Sequence, residues 1–248
     1  MYQTKNLLSI SSDSKTVKGE KLGFLTGILY LAPANTTKYN TCAMAIMADC
    51  AVACLYSAGR GAFNSVQTGR INKTIWFFEE QETFMLQLYK NIITLINKAK
   101  RLGLIPLIRL NGTSDIKWEN VSLTINGKYY ANIFEVFPEL QFYDHTKIAS
   151  RDTPTNYDLT FSYSGVLKYQ KYVNIALSKG MRIAVVFRTI NAIPKQFIGL
   201  AVIGGDNSDI RHVEPQNTIV ALYAKGAAKN DNTGFVVDKA HKVFALQA

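Results

Sequence analysis

Short, almost wholly apolar runs that each stop at a polar exit recur along this chain, and no other feature limits its fold as much. They occupy residues 23–31, 104–110, 140–143, 157–161, 182–188, 199–203 and 218–223, with 233–237 as a last candidate. Runs of this length, apolar on both faces, read as buried parallel strands. The segments between them carry helical spacing. Residues 63–78 predict one helix and 80–102 a second, in which Phe84, Leu88, Ile92, Leu95, Ala99 and Leu102 recur three or four apart. Glutamates open that second helix, and basic residues followed by Gly103 close it. Residues 131–137 and 166–178 predict two more. Asn126-Gly127 marks a two-residue hairpin within 122–130, residues 7–10 a short edge strand, and 11–19 a polar loop.

Strand, polar exit, helix, strand is the grammar of a parallel α/β sheet. With about eight candidate strands in 248 residues it points to a TIM-barrel-like (β/α) architecture. The last crossover, residues 224–232, is short for a parallel connection, so the expected fold is an incomplete or distorted parallel barrel. A doubly wound open sheet is the rival. No composition break divides the chain, which is expected to be one domain over 1–248, with an N-terminal extension (1–22) and a C-terminal tail (238–248).

The composition, 48% hydrophobic and 19% charged, excludes a disordered chain. No apolar run reaches the length of a membrane span, and the N-terminus lacks the apolar core of a secretory signal. A reducing, cytoplasmic setting and no membrane partner are expected. The net charge of +10 admits nucleic acid or a small anionic ligand as partner.

All three cysteines, Cys42, Cys50 and Cys54, fall within thirteen positions directly after the first core strand. Three thiolates on one segment can share a metal. A [4Fe-4S] cluster with one iron left open is the leading expectation; zinc and inert buried thiols are the alternatives. In parallel barrels the strand C-termini carry the chemistry. Those positions hold Arg109, Asp144, His145 and Lys147 as candidate catalytic groups, and Asn111, Arg188, Asp206 and Lys225 as candidate substrate contacts. Each also has a plain structural reading as an ion pair or turn. His212 and His241 are weaker candidates. There is no P-loop, zincin motif or locally supported serine triad.

Several motifs together resemble a family of bacteriophage proteins, the gene product 88 family. They are residues 26–34, the three cysteines with Ala58-Gly59-Arg60-Gly61, residues 109–115, 141–147, 156–162 and 185–188, Gly204-Gly205-Asp206-Asn207-Ser208-Asp209, and residues 224–229. The resemblance implies a viral protein working in the cytoplasm of an infected bacterium, and brings no assigned activity. A more distant likeness is to radical S-adenosylmethionine enzymes, which place three cysteines after the first strand of a partial barrel. Their tighter cysteine spacing is absent here, so adenosylmethionine as cofactor has no motif behind it. The expectation carried forward is a phage iron–sulfur protein, an enzyme acting on a small anionic or sulfur-containing substrate by radical, Lewis-acid or desulfuration chemistry. The alternative is a basic nucleic-acid-binding protein with a structural metal.

Overall fold

A computed structural model of the chain describes residues 3–11, 14–34, 36–54, 56 and 58–238. The expected tail beyond residue 238, with His241, lies outside them.

A nine-stranded, mostly parallel sheet organises these residues. Its strands are β1 (Leu8–Ile10), β2 (Phe24–Leu29), β3 (Ile105–Arg109), β6 (Gln141–Thr146), β7 (Tyr157–Ser162), β8 (Ile183–Phe187), β9 (Gln196–Phe197), β10 (Leu200–Gly204) and β11 (Ile219–Tyr223). The spatial order is β1-β2-β3-β6-β7-β8-β11-β10-β9. The edge strands β1 and β9 pair antiparallel, and every pairing between β2 and β10 is parallel. The remaining strands, β4 (Leu123–Ile125) and β5 (Lys128–Tyr130), form a separate hairpin. Its turn places Asn126 at φ 50° and Gly127 at φ 78°, the left-handed pair that a tight hairpin requires.

The expected incomplete or distorted parallel barrel is met as a mixed α/β fold with a large, mostly parallel sheet, and no ladder joins β1 to β9 to close it among the described residues. Two local causes are visible. From β2 to β8 the chain advances one strand position at a time. It then skips a place to β10 and returns to insert β11, so the progression that would close a barrel reverses. The strand expected at 233–237 contributes a single bridge, Val237 to Phe187. The Asp231 carboxylate accepts from Thr233 Oγ1 (2.7 Å) and the Val236 amide (2.9 Å), folding that segment into a turn.

Among the described residues five α-helices accompany the sheet: α1 (Ser14–Glu20), α2 (Asn64–Glu79), α3 (Gln81–Leu102), α4 (Ile133–Val136) and α5 (Gln170–Ser178). The first was expected as polar loop. It docks on β2 with Thr16 buried and Gly19 against Ile210, whose Cδ1 would lie 3.1 Å from an added Cβ. α3 ends as its sequence indicates: Gly103 is left-handed (φ 67°) and its amide donates to the carbonyls of Ala99 and Lys100.

One sheet face sends Leu25, Leu29, Ile108, Leu110 and Phe142 into a core with α3, Trp76, Trp118 and Phe134. Further along the sheet, α5 covers Phe161, Ile183, Val185 and Ile219. The opposite face carries Phe24, Leu107 and Tyr143 against Ile210, from the segment that links β10 to β11. Leu95 on α3 is wholly buried in the larger core. Leu95→Ala should cost about 2–5 kcal/mol in urea unfolding, whereas Lys90→Ala on the exposed side of the same helix should change stability by less than about 0.5 kcal/mol.

Candidate functional site

The C-terminal ends of the parallel strands form a crest, and the candidate residues lie on it or just beneath it. Asp144, in β6, is fully buried. Its carboxylate accepts from the backbone amides of Leu110 (3.0 Å) and Asn111 (3.1 Å) and from the Tyr157 hydroxyl (3.0 Å), with Arg109 Nε 3.6 Å away. Burial lifts its pKa to about 6, against the pull of Arg109 and the amides. The group thus brackets the end of β3 to β6 and β7. Arg109 pairs with Asp209, which reaches over from the β10–β11 link, and its guanidinium lies 5.6 Å from the Tyr143 ring centre. Asn111 organises its own loop. Its side chain accepts from Ser114 Oγ, the Ile116 amide and Trp118 Nε1, and donates to the Ile116 carbonyl. His145 is half-buried and projects to the sheet face opposite Asp144.

A second network surrounds Lys147. Asp115 accepts from the Lys147 amide (2.7 Å), Thr146 Oγ1 (2.8 Å) and Arg151 (3.1 Å), and Arg151 grips both oxygens of Glu119 (2.9 and 2.6 Å). The Lys147 ammonium donates to Ser162 O and Oγ (both 3.0 Å) and to Tyr163 O (3.2 Å), between the rings of Phe235 and Tyr169. Burial lowers its pKa. Two further guanidiniums follow the same pattern. Arg182 joins Asp158 (2.7 Å) to the Glu214 carbonyl, and Arg211 pairs with Glu214 and caps the carbonyls of Gly205 and Ser208 (both 2.5 Å). None of Glu119, Arg151, Asp158, Arg182, Arg211 and Glu214 was singled out from sequence. The one signal was a charged residue flanking an apolar run, as Arg182 does before β8.

The cysteine segment crosses this crest as a series of turns. Amides of Ala45, Ala48 and Cys50 bond back to Cys42 O, Met44 O and Ala45 O. Ser164 Oγ holds the Ala48 carbonyl at 2.8 Å, the Asp115 amide holds Thr41 O, and Ala53 packs with Ala224, Ala228 and Phe235. Cys42, Cys50 and Cys54 are free thiols. The Cys42 sulfur faces Thr113 O and that of Cys50 faces Ala45 O, each at 3.8 Å. Burial raises the pKa of all three, that of Cys42 to about 11, so each thiol keeps its proton. Among the described residues no group of three or more Cys, His, Asp or Glu side chains is placed to hold a metal. This overturns the expected [4Fe-4S] cluster on Cys42, Cys50 and Cys54, the iron-dependent function built on it, and the structural metal of the alternative. The Cys42 and Cys50 sulfurs each face a separate backbone carbonyl, and all three thiols lie within electrostatic reach of the Lys147 ammonium.

The remaining candidates sit where the strand order reverses. Arg188, just past β8, donates to both oxygens of Asp238 (2.9 and 3.1 Å) and to the carbonyls of Ala228, Lys229 and Asp231. It clamps the C-terminal segment to the crest. Lys225, just past β11, pairs with Asp206 from the exit of β10 (2.7 Å) and lies 4.5 Å over the Tyr223 ring. Between the ends of β8 and β11 opens a crevice of about 500 Å³ lined by Arg188, Thr189, Ile190, Tyr223, Ala224 and Lys229.

The family model for gene product 88 matches residues 5–239, nearly the whole described chain and all of this crest. The chain belongs to the gene product 88 family. The phage-protein resemblance read from its motifs is therefore correct. No curated protein and no solved structure matches it, and the likeness to radical S-adenosylmethionine enzymes finds no support. No helix among the described residues is long and apolar enough to cross a membrane.

In this gene product 88 protein the three thiols, each half-buried, should react slowly with a disulfide reagent in the native state at about pH 8, because protonated thiols are poor nucleophiles. All three should titrate once the chain is unfolded. Rapid modification of any one before unfolding would place a thiolate on the crest.

Proposed function

We propose that this gene product 88 family member binds polyanions, with nucleic acid as its partner, in the cytoplasm of the infected bacterium. The observation that carries this reading is the separation of charge. Arg109, Arg151, Arg182 and Arg211 pair with Asp115, Glu119, Asp144, Asp158, Asp209 and Glu214, all with little exposed side-chain surface. Four positive against six negative groups leave this inner network at −2, so the rest of a chain of formal charge +10 carries +12. At the exposed positions among the described residues, fifteen Lys and Arg face six Asp and Glu.

Most of the interior acids are thus neutralised in place; Arg70 and Lys147 are buried as well, and the excess of positive charge lies at the exposed positions. Such a surface attracts phosphate backbones by releasing condensed counterions, without needing a base-reading motif. The cations are distributed rather than gathered in one run: Lys5, Lys90, Lys100 and Arg101 near α3, Lys168, Lys171 and Lys179 around α5, and Arg60 and Lys229 on the crest. That distribution suits backbone contact and gives no basis for sequence-specific readout.

Fluorescence anisotropy with a labelled oligonucleotide tests the reading. Affinity should fall steeply, by about tenfold or more, between about 50 and about 200 mM salt. Absence of binding to both single-stranded and duplex nucleic acid at the lower salt concentration would refute it.

A further inference from the structure

We infer that the crevice between the C-terminal ends of β8 and β11 receives one nucleotide unit of a single strand, its base against Tyr223 and Ile190 and its phosphate beside Lys229; this rests on the polyanion reading above.

Three independent observations converge on this crevice. Its place is the first. In open parallel sheets ligands collect outside the carboxyl ends of the strands, where the strand order reverses and the departing chains part. Here β8 leaves toward β9 and β10, whereas β11 sits between β8 and β10 and its chain returns to bridge Phe187. A second cavity of similar size, near Gln141, Asp158 and Gln216, lies at the opposite ends of β6 and β7 and includes the Asp158 carboxylate in its wall.

The chemistry of the lining is the second. Ile190 is 67% exposed and Tyr223 36%, an apolar side chain and an aromatic ring left open to water beside cations. Base stacking on such a ring is tolerant of sequence and contributes much of the affinity of single-strand binders. Lys225 lies over one face of the ring and pairs with Asp206. Lys229 is exposed on the crevice wall. Arg60 adds a further exposed cation on the neighbouring turn, because Gly226 lies so close to Ala58 that an added Cβ would sit 3.0 Å from the alanine methyl. Three carboxylates near this surface are held by partners already, Asp238 by Arg188, Asp206 by Lys225 and Asp231 by Thr233 and the Val236 amide.

Size is the third. An open depression of about 500 Å³ has room for a single splayed base. A duplex, whose bases remain stacked inside, presents only its backbone and gains nothing from Tyr223.

The test compares a labelled oligothymidylate with a duplex of equal length against wild type, Tyr223→Ala, Tyr223→Phe and Lys128→Ala. Loss of the ring should weaken single-strand binding by about fivefold to a hundredfold, while Tyr223→Phe keeps it and duplex affinity stays unchanged. Lys128→Ala, on the distant hairpin, should lower binding to both less than about twofold. Ultraviolet crosslinking of oligothymidylate to the wild-type chain, mapped by mass spectrometry, should give adducts within residues 188–190 or 223–229. Equal single-strand affinity in wild type and Tyr223→Ala, or adducts confined to other segments, would overturn the inference and leave the polyanion reading standing. A wild-type protein that binds neither nucleic acid would remove both.

Discussion

Buried guanidinium–carboxylate pairs hold the loops of this sheet in place. Arg109 ties the end of β3 to the link between β10 and β11 through Asp209. Arg151 draws Asp115 and Glu119 onto the segment after β6, and Arg182 fastens β8 to β7 through Asp158. Each pair joins pieces of chain distant in sequence. A charge left alone in such surroundings costs several kcal/mol, so each partner enforces the position of the other. Hydrogen bonds from backbone amides to Asp144 and Asp115 extend the same framework into the loops. The crest is consequently rigid where these acids sit, and they are unavailable to repel an anion outside.

The cysteine segment is best understood within that framework. Thr41, Asp115 and Ser164 pin it across the strand ends, Ala53 packs with Phe235, and Ala48 joins the core under α5. Its sulfurs behave as compact, polarizable apolar groups. Below them the Lys147 ammonium is held by three oxygen acceptors from β7 and the residue after it. Clustering in sequence therefore arose from covering one patch of sheet, a role small residues fill well, and not from gathering ligands around an ion.

Much of the fold was legible because it is written in local periodicity. The α3 repeat of Phe84, Leu88, Ile92 and Leu95, its glycine stop and the Asn126-Gly127 turn are each fixed by neighbours in sequence. What depends on distant partners was not legible. The reversal that places β11 between β8 and β10 leaves no trace in the hydrophobic pattern, since buried parallel strands read alike wherever they lie. α1 was hidden because its burial rests on Thr16 and Gly19 rather than on large apolar residues. For the site, the strand-end positions of Arg109, Asp144 and Lys147 could be read from the runs they terminate. Which of several acids each would meet could not: Asp209, the partner of Arg109, lies a hundred residues away. Spacing alone also cannot tell thiols that point at separate carbonyls from thiols that converge.

A double-mutant cycle on Arg151 and Asp115, followed by urea unfolding, tests most directly whether the ion pairs hold the crest. Arg151→Met should cost about 3–5 kcal/mol, because it strands Asp115 and Glu119 in a buried site; Asp115→Leu should cost about 2–3 kcal/mol, because Arg151 keeps its pair with Glu119. The double variant should then lose far less than the summed single losses, a coupling of about 2 kcal/mol or more. Single losses below about 1 kcal/mol that simply add would contradict the account, since the pairs would then be bystanders of a crest held together by apolar packing alone.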